Sequence, residues 1–252
     1  MEIIRQSGGA VDAIFVPVGG GGLIAGIAAY VKPLHPGVRI IGVEPVDAAA
    51  MYESLRAGRR VTLERVGLFA DGVAVRTVGE RCFALARQYV DEVLCVDTDE
   101  ICGAIQDVFE DTRTVLEPAG ALAVAGAKRY AARERATGQR YVAINSGANL
   151  SFDRLRDIAE RADLGAGREA LLAVDIPEQQ GSFLRFCDSL GPHSVTEFNY
   201  RYQGSARAQL FVGFALQAGQ EDCAAVIARL GAAGYGVVDM SGNEMAKLHV
   251  RY

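Results

Sequence analysis

The residues best suited to chemistry form a run of glycines, Pro17-Val18-Gly19-Gly20-Gly21-Gly22-Leu23-Ile24-Ala25-Gly26. The run stands where a strand-like segment ends and an apolar helical one begins. Without Cβ atoms its backbone N–H groups can close on a ligand, and the unpaired amides and positive dipole end of the next helix favour a phosphate dianion. Gly20-Gly21-Gly22-Leu23-Ile24-Ala25 also satisfies G-x-G-x-x-G/A, with Glu44 ending the following strand, so a dinucleotide phosphate stays open at this point.

Three further segments fall on the same expected edge. Asn145-Ser146-Gly147-Ala148-Asn149 ends another strand, where the Ser146 hydroxyl can face a ligand or simply close a turn. Glu117-Pro118-Ala119-Gly120-Ala121 reads as a helix start, with a carboxylate placed to reach a cofactor ring. Phe69-Ala70-Asp71-Gly72-Val73-Ala74-Val75 is a non-periodic loop, either spacer or pocket wall. His35, His193 and His249 lie far apart without ligand spacing, so no metal site is expected.

Positioning these residues requires a regular scaffold. Short apolar runs at Val11 to Val18, Val38 to Val43, Glu92 to Val96 and Arg140 to Asn145 read as buried parallel strands. Helical spacing falls between or beside them, at Leu23 to Leu34, Ala48 to Ala57, Val78 to Tyr89, Thr98 to Arg113 and Pro118 to Arg135, with Asp97 and Glu100 as a capping box. The fold class is therefore α/β, a parallel sheet with helices on both faces. A helix from Phe152 to Arg161 runs into Asp163-Leu164-Gly165-Ala166-Gly167, whose turn-forming residues mark a boundary.

Beyond it the order becomes strand Ala170 to Ile176, helix Gly181 to Leu190, strands Val195 to Tyr202 and Ala208 to Leu216, helix Glu221 to Gly231, strand Gly236 to Met240. This β-α-β-β-α-β series is the ferredoxin-like α+β unit. The expected organisation is residues 1–165, residues 168–242, and residues 243–252 as a linker or the start of another subdomain. Strand Val11 to Val18 starts almost at once and Leu248-His249-Val250-Arg251-Tyr252 ends without a stop signal, so a cut from a longer polypeptide is expected.

Composition narrows the function classes. Lys+Arg 26 against Asp+Glu 31 gives a net charge of −5 over 252 residues, which leaves no positive field for nucleic acid. Half the residues are hydrophobic and 23% charged, which excludes a disordered chain. No apolar run is long enough for a membrane helix. The five cysteines form no C-x-x-C pair, so reduced thiols and a cytoplasmic location are expected.

Together, Val16-Pro17-Val18-Gly19-Gly20-Gly21-Gly22-Leu23, Gly42-Val43-Glu44-Pro45, Phe69 to Val75, Glu117 to Ala121 and Ser146-Gly147-Ala148-Asn149 resemble the fold type II pyridoxal-phosphate enzymes of the threonine dehydratase (threonine ammonia-lyase) family. The second unit, with Glu169 to Val174, Gly181-Ser182-Phe183-Leu184 and Ser194 to Tyr202, resembles the ACT-like regulatory domain of the biosynthetic enzyme. The resemblance implies that Gly19, Gly20, Gly21, Gly22 and Leu23 cradle the phosphate of pyridoxal 5'-phosphate and that Ser146 hydrogen-bonds the pyridine nitrogen. A serine there leaves the ring largely neutral, which suits β-elimination.

The implied reaction converts L-threonine to 2-oxobutanoate and ammonia, the first step of isoleucine biosynthesis. Isoleucine, with valine as a second ligand, is the implied effector at Gly181, Ser182, Phe183 and Asn199, and a homo-oligomer is expected. The family's Schiff-base lysine lies in a Ser-x-Lys context upstream of the glycine loop; Lys32, Lys128 and Lys247 do not match it, so the chain alone is expected to be inactive. Two rival readings are an effector-binding module without catalysis and a nicotinamide-dependent dehydrogenase, which leaves Ser146 to Asn149 without a role.

Overall fold

The computed structural model describes residues 1–8, 10–201, 206–217 and 219–249. Tyr202, expected to end a strand, and Val250 to Tyr252 of the final segment lie outside the described residues. The chain divides into Met1–Ala159 and Glu160–Tyr252.

The first unit runs α1 (Glu2–Gln6), β1 (Ala13–Pro17), α2 (Gly22–Leu34), β2 (Arg39–Pro45), α3 (Ala50–Ala57), a 3-10 turn (Asp71–Val73), α4 (Glu80–Tyr89), β3 (Glu92–Val96), α5 (Thr98–Thr112), α6 (Pro118–Glu134) and β4 (Tyr141–Ala143). Its sheet has the order β3-β2-β1-β4 and every pair is parallel. β1 and residues 40–43 of β2 are continuous apolar runs because both of their faces are covered. Ile14, Val16 and Ile40 pack with Ile24 and Ala28 of α2 and Phe83 and Ala86 of α4. On the other face, Phe15 meets Tyr130 of α6 edge to face at 5.4 Å.

Parallel strands bring all their carboxyl ends to one edge, and that edge carries the four loops singled out above. Local signals set the helix starts there. Gly21 caps α2 in the left-handed region at φ 90°, Pro118 opens α6, and Asp97 and Glu100 form the capping box of α5.

Helix α7 (Arg154–Gly165) crosses the division between the units. It continues past Arg161 to Gly165, farther than the turn-forming residues suggest, because Ile158, Ala162 and Leu164 are buried. The rest of the second unit is β5 (Glu169–Pro177), α8 (Ser182–Leu190), β6 (Val195–Arg201), β7 (Arg207–Ala215), α9 (Gln220–Ala232), β8 (Gly236–Asp239) and α10 (Glu244–His249). Its antiparallel sheet has the order β6-β7-β5-β8, as the β-α-β-β-α-β series requires. Leu172, Val174, Leu210, Val212 and Phe214 pack one face of it against Phe186 and Leu190 of α8 and Val226 and Leu230 of α9. Helix α10 falls in the segment read as a linker or the start of another subdomain; Glu244 holds Arg161 at 2.7 Å and ties it to this unit.

Candidate functional site

The glycine loop leaves β1 through Val18, whose N–H continues the ladder to Val43 at 2.9 Å. From there its backbone is free to face a ligand: the N–H groups of Gly19, Gly20, Gly22 and Leu23 donate to no group among the described residues. Neighbours fix the loop from behind. A Cβ on Gly19 would lie 3.1 Å from Val73 Cα, and one on Gly21 would lie 2.6 Å from Met51 Cε and 3.0 Å from Cys82 Cβ. Gly79 N–H donates to the Gly20 carbonyl at 3.0 Å. The result is a row of unpaired donors at the start of a 13-residue helix, on a left-handed backbone at position 21 that favours glycine.

The remaining motifs converge on the same edge. Gly72 approaches Ala119, with 2.9 Å between its would-be Cβ and the Ala119 methyl, and Glu117 Oε1 stands 3.4 Å away. Glu117 N–H donates to the Gly147 carbonyl at 3.2 Å, and its Oε2 accepts from Asn149 N–H at 3.1 Å. Ser146 is exposed and borders a cavity of about 460 Å³ with Leu116, Thr112 and Val108. The Phe69 to Val75 loop is thus a wall between the glycine loop and Glu117.

Arg154 pins that wall: its Nη2 donates to the Phe69 carbonyl at 2.7 Å and its guanidinium lies 5.4 Å from the Phe69 ring centroid. Sequence reading misses Arg154, since a lone arginine after a turn carries no signal. It also misses the role of Glu44, which is fully buried and accepts from Met51 and Tyr52 N–H, each at 2.8 Å. Burial raises its carboxyl to about 7, against the opposing pull of the two amides.

Neither lysine of the first unit serves this edge. Lys32 sits in the last turn of α2, roughly 15 Å along the helix from the glycines at 1.5 Å per residue, and pairs with Asp91 at 2.9 Å. Lys128 of α6 pairs with Asp107 of α5, and Lys247 of the second unit pairs with Glu244 at 3.1 Å.

A phosphorylated pyridine cofactor fits the residues present. Four unpaired amides and a helix dipole match a dianion, and Ser146 offers a hydroxyl with no other partner among the described residues. Groups of histidine, cysteine and carboxylate suited to a metal ion are absent among the described residues.

In the second unit the residues expected to hold an effector separate. Gly181 caps α8 at φ 81°, Ser182 is buried and accepts from Arg185 Nη2 at 2.9 Å, and half-exposed Phe183 stacks edge to face on Phe198 at 4.8 Å. Asn199 is not with them. Neighbouring strand residues point to opposite faces, so with Phe198 against α8, Asn199 turns to the face opposite α8 and α9. There it borders a cavity of about 450 Å³ with Ala173, Arg201, Gln209 and Phe211.

Comparison with known proteins shows the family. A family described as pyridoxal-phosphate dependent enzyme matches residues 1–147, and the C-terminal regulatory domain of threonine dehydratase matches residues 160–250. The chain is 54% identical to the biosynthetic L-threonine dehydratase IlvA of Burkholderia multivorans over 252 residues, covering 100% of this chain and 50% of that protein. It is 47% identical to the mitochondrial threonine dehydratase of Saccharomyces cerevisiae, covering 100% of this chain and 46% of that protein. The chain thus spans about half the length of the curated relatives it matches. Among solved structures, the processed threonine deaminase isoform 2 of Solanum lycopersicum superposes with a TM-score of 0.63 at 47% identity, covering 64% of this chain and 47% of that one. From the unpaired glycine amides, the Ser146 edge and these matches, the chain belongs to the pyridoxal-phosphate dependent enzymes and carries a regulatory domain of the threonine dehydratase type.

Proposed function

We propose that this chain supplies the phosphate cup, the ring-nitrogen partner and a regulatory unit of an L-threonine ammonia-lyase that forms 2-oxobutanoate and ammonia and is inhibited by isoleucine. The observation that carries the reading is the row of unpaired amides from Gly19 to Leu23 on the same sheet edge as the free hydroxyl of Ser146. When bound, pyridoxal phosphate supplies the electron sink for loss of a β-hydroxyl. Gly19, Gly20, Gly22 and Leu23 N–H groups would hold the phosphate, and the Ser146 hydroxyl would meet the ring nitrogen without delivering a full proton. The Phe69 to Val75 wall, pinned by Arg154, shields one side from water. Five free cysteines support a reducing, cytoplasmic setting, and no helix among the described residues is long and apolar enough to cross a membrane.

The engaged lysines favour a second reading of the chain by itself, a cofactor- and effector-binding piece without turnover. One experiment separates the two: this chain replaces its matching portion in the Burkholderia multivorans relative, and 2-oxobutanoate formation from threonine is followed for the chimera and for the chain alone. Turnover by the chimera and none by the chain supports the proposal. A chimera that binds pyridoxal phosphate yet makes no 2-oxobutanoate would refute it.

A further inference from the structure

Helix α3 begins without a cap of its own. Its N-cap residue is Ala49, which has no side-chain acceptor, and Ala48, Ala49 and Ala50 surround the start. Two of its first-turn amides nevertheless have partners, because Glu44 reaches across from the end of β2. Oε1 accepts from Met51 N–H and Oε2 from Tyr52 N–H, both at 2.8 Å. A carboxylate with each oxygen on a separate amide fixes both the position and the rotation of that turn.

The turn it fixes is the one that touches the glycine loop. Met51 is fully buried, and its methyl lies 2.6 Å from where a Cβ on Gly21 would stand, so it rests directly on that glycine. On the other side Cys82 of α4 comes within 3.0 Å of the same point, and Gly79 N–H holds the Gly20 carbonyl. Gly20 and Gly21 are therefore gripped between α3 and α4, and the α3 side of the grip is set by one buried carboxylate.

We propose that Glu44 is a positioning residue for the phosphate cup: it anchors the first turn of α3 and, through the Met51 side chain, sets where Gly21 and its neighbouring amides lie. This rests on reading Gly19 to Leu23 as the phosphate site. The groups facing Glu44 are Glu53 on α3 and Cys95, its cross-strand partner on β3. Arg129 of α6 binds the Cys95 carbonyl. The Cys95 thiol is pushed up to about 12 by burial and by the nearby Glu44 and Glu53 carboxylates, so it stays neutral. Glu44 itself changes charge near neutral pH. Protonation removes the charge that both amides share and leaves a single strong acceptor, which loosens the grip on Gly21.

The test is a nuclear magnetic resonance titration of this chain labelled with nitrogen-15, from pH 5.5 to 8.5. The amides of Met51 and Tyr52 are expected to shift with a half-point near 7, and those of Gly20 and Gly21 to follow the same curve. Glu44→Gln should flatten all four. In Met51→Ala the amides of position 51 and Tyr52 should still titrate while Gly21 stops following, which separates contact through the side chain from a direct field of the carboxylate. The proposal is overturned if the amides of Met51, Tyr52, Gly20 and Gly21 keep their positions in Glu44→Gln, if the glycines stay still while Met51 and Tyr52 move, or if Gly21 follows unchanged in Met51→Ala. Adding pyridoxine 5'-phosphate, which has no aldehyde, tests the underlying reading separately. Shifts at Gly19 to Leu23, alone or together with the Ser146 loop, support it, and no shift at Gly19 to Leu23 refutes the phosphate site while leaving the Glu44 coupling to stand or fall on its own titration.

Discussion

The carboxylate of Glu117 fills the space that a Cβ on Gly147 would need, and its Oε2 accepts from Asn149 N–H at 3.1 Å. The residue that starts α6 therefore shapes the loop carrying Ser146. Gly147→Ala should displace one or the other and destabilise the first unit by about 1–3 kcal/mol, the usual cost of an inserted methyl in a filled site. In a Glu117→Ala background the penalty should shrink, because the opposing atoms are gone. Urea denaturation of the two single variants and the double variant measures the coupling; additive losses would show that the two residues do not compete for space.

The glycine loop offers a sharper contrast. Gly20 has nothing within 4 Å of the place a methyl would take and an ordinary φ, whereas Gly21 sits at φ 90° with Met51 and Cys82 against it. Gly20→Ala should leave stability within about 0.5 kcal/mol, as at other open surface positions. Gly21→Ala should cost roughly 1–2 kcal/mol from backbone strain alone, and Gly21→Asp should in addition abolish binding of pyridoxine 5'-phosphate by placing a negative charge beside the dianion. Equal effects at positions 20 and 21 would mean that α3 and α4 do not hold the loop from behind.

Glu44 gives a pH dependence whose sign can be worked out. Its folded value of about 7 lies above the ordinary 4.5, so the folded state binds the proton more tightly than the unfolded one. The associated stability is fully present below pH 4.5 and is lost as pH rises through 7, a change of roughly 3 kcal/mol at 1.36 kcal/mol per unit. Local anchoring of α3 runs the other way, since the charged form grips the amides better while the burial of its charge costs the whole fold. Subtracting the unfolding free energy of Glu44→Gln from that of the unmutated chain removes the other titrating groups. That difference should fall between pH 4.5 and 8; a flat line would place the charge change elsewhere.

Much of this is legible in the sequence because it is local. The strand runs, Pro118, the Asp97 and Glu100 pair and the glycines each carry their own stereochemical signal, and the parallel order then delivers Gly19 to Leu23, Phe69 to Val75, Glu117 and Ser146 to one edge. What is not legible depends on contacts between distant segments. Glu44 looks like the end of a dinucleotide fingerprint until α3 is seen folded back onto it. Arg154 has no pattern around it, and its target is a carbonyl at Phe69. Helix α7 outruns its glycines because burial of Ala162 and Leu164 outweighs local propensity. Proximity of motifs groups Asn199 with Phe183, although strand alternation already places it opposite Phe198.

That separation yields a prediction about regulation. Phe183 of α8 and Phe198 of β6 form an exposed edge-to-face pair, while Asn199 borders the cavity on the sheet face opposite α8 and α9. In the chimera with the Burkholderia multivorans relative, Phe183→Ala should raise the isoleucine concentration needed for half-inhibition severalfold and leave threonine turnover nearly intact. Its stability cost should be about 0.5–1.5 kcal/mol, the worth of an aromatic pair. Asn199→Ala should leave the inhibition curve in place if the effector binds at the start of α8. An inhibition curve moved by Asn199→Ala and not by Phe183→Ala would transfer the effector to the cavity between Arg201, Gln209 and Phe211, where a guanidinium for a carboxylate and an apolar floor for a side chain lie on one face. Titrating isoleucine against 2-oxobutanoate formation for both variants decides between the two faces.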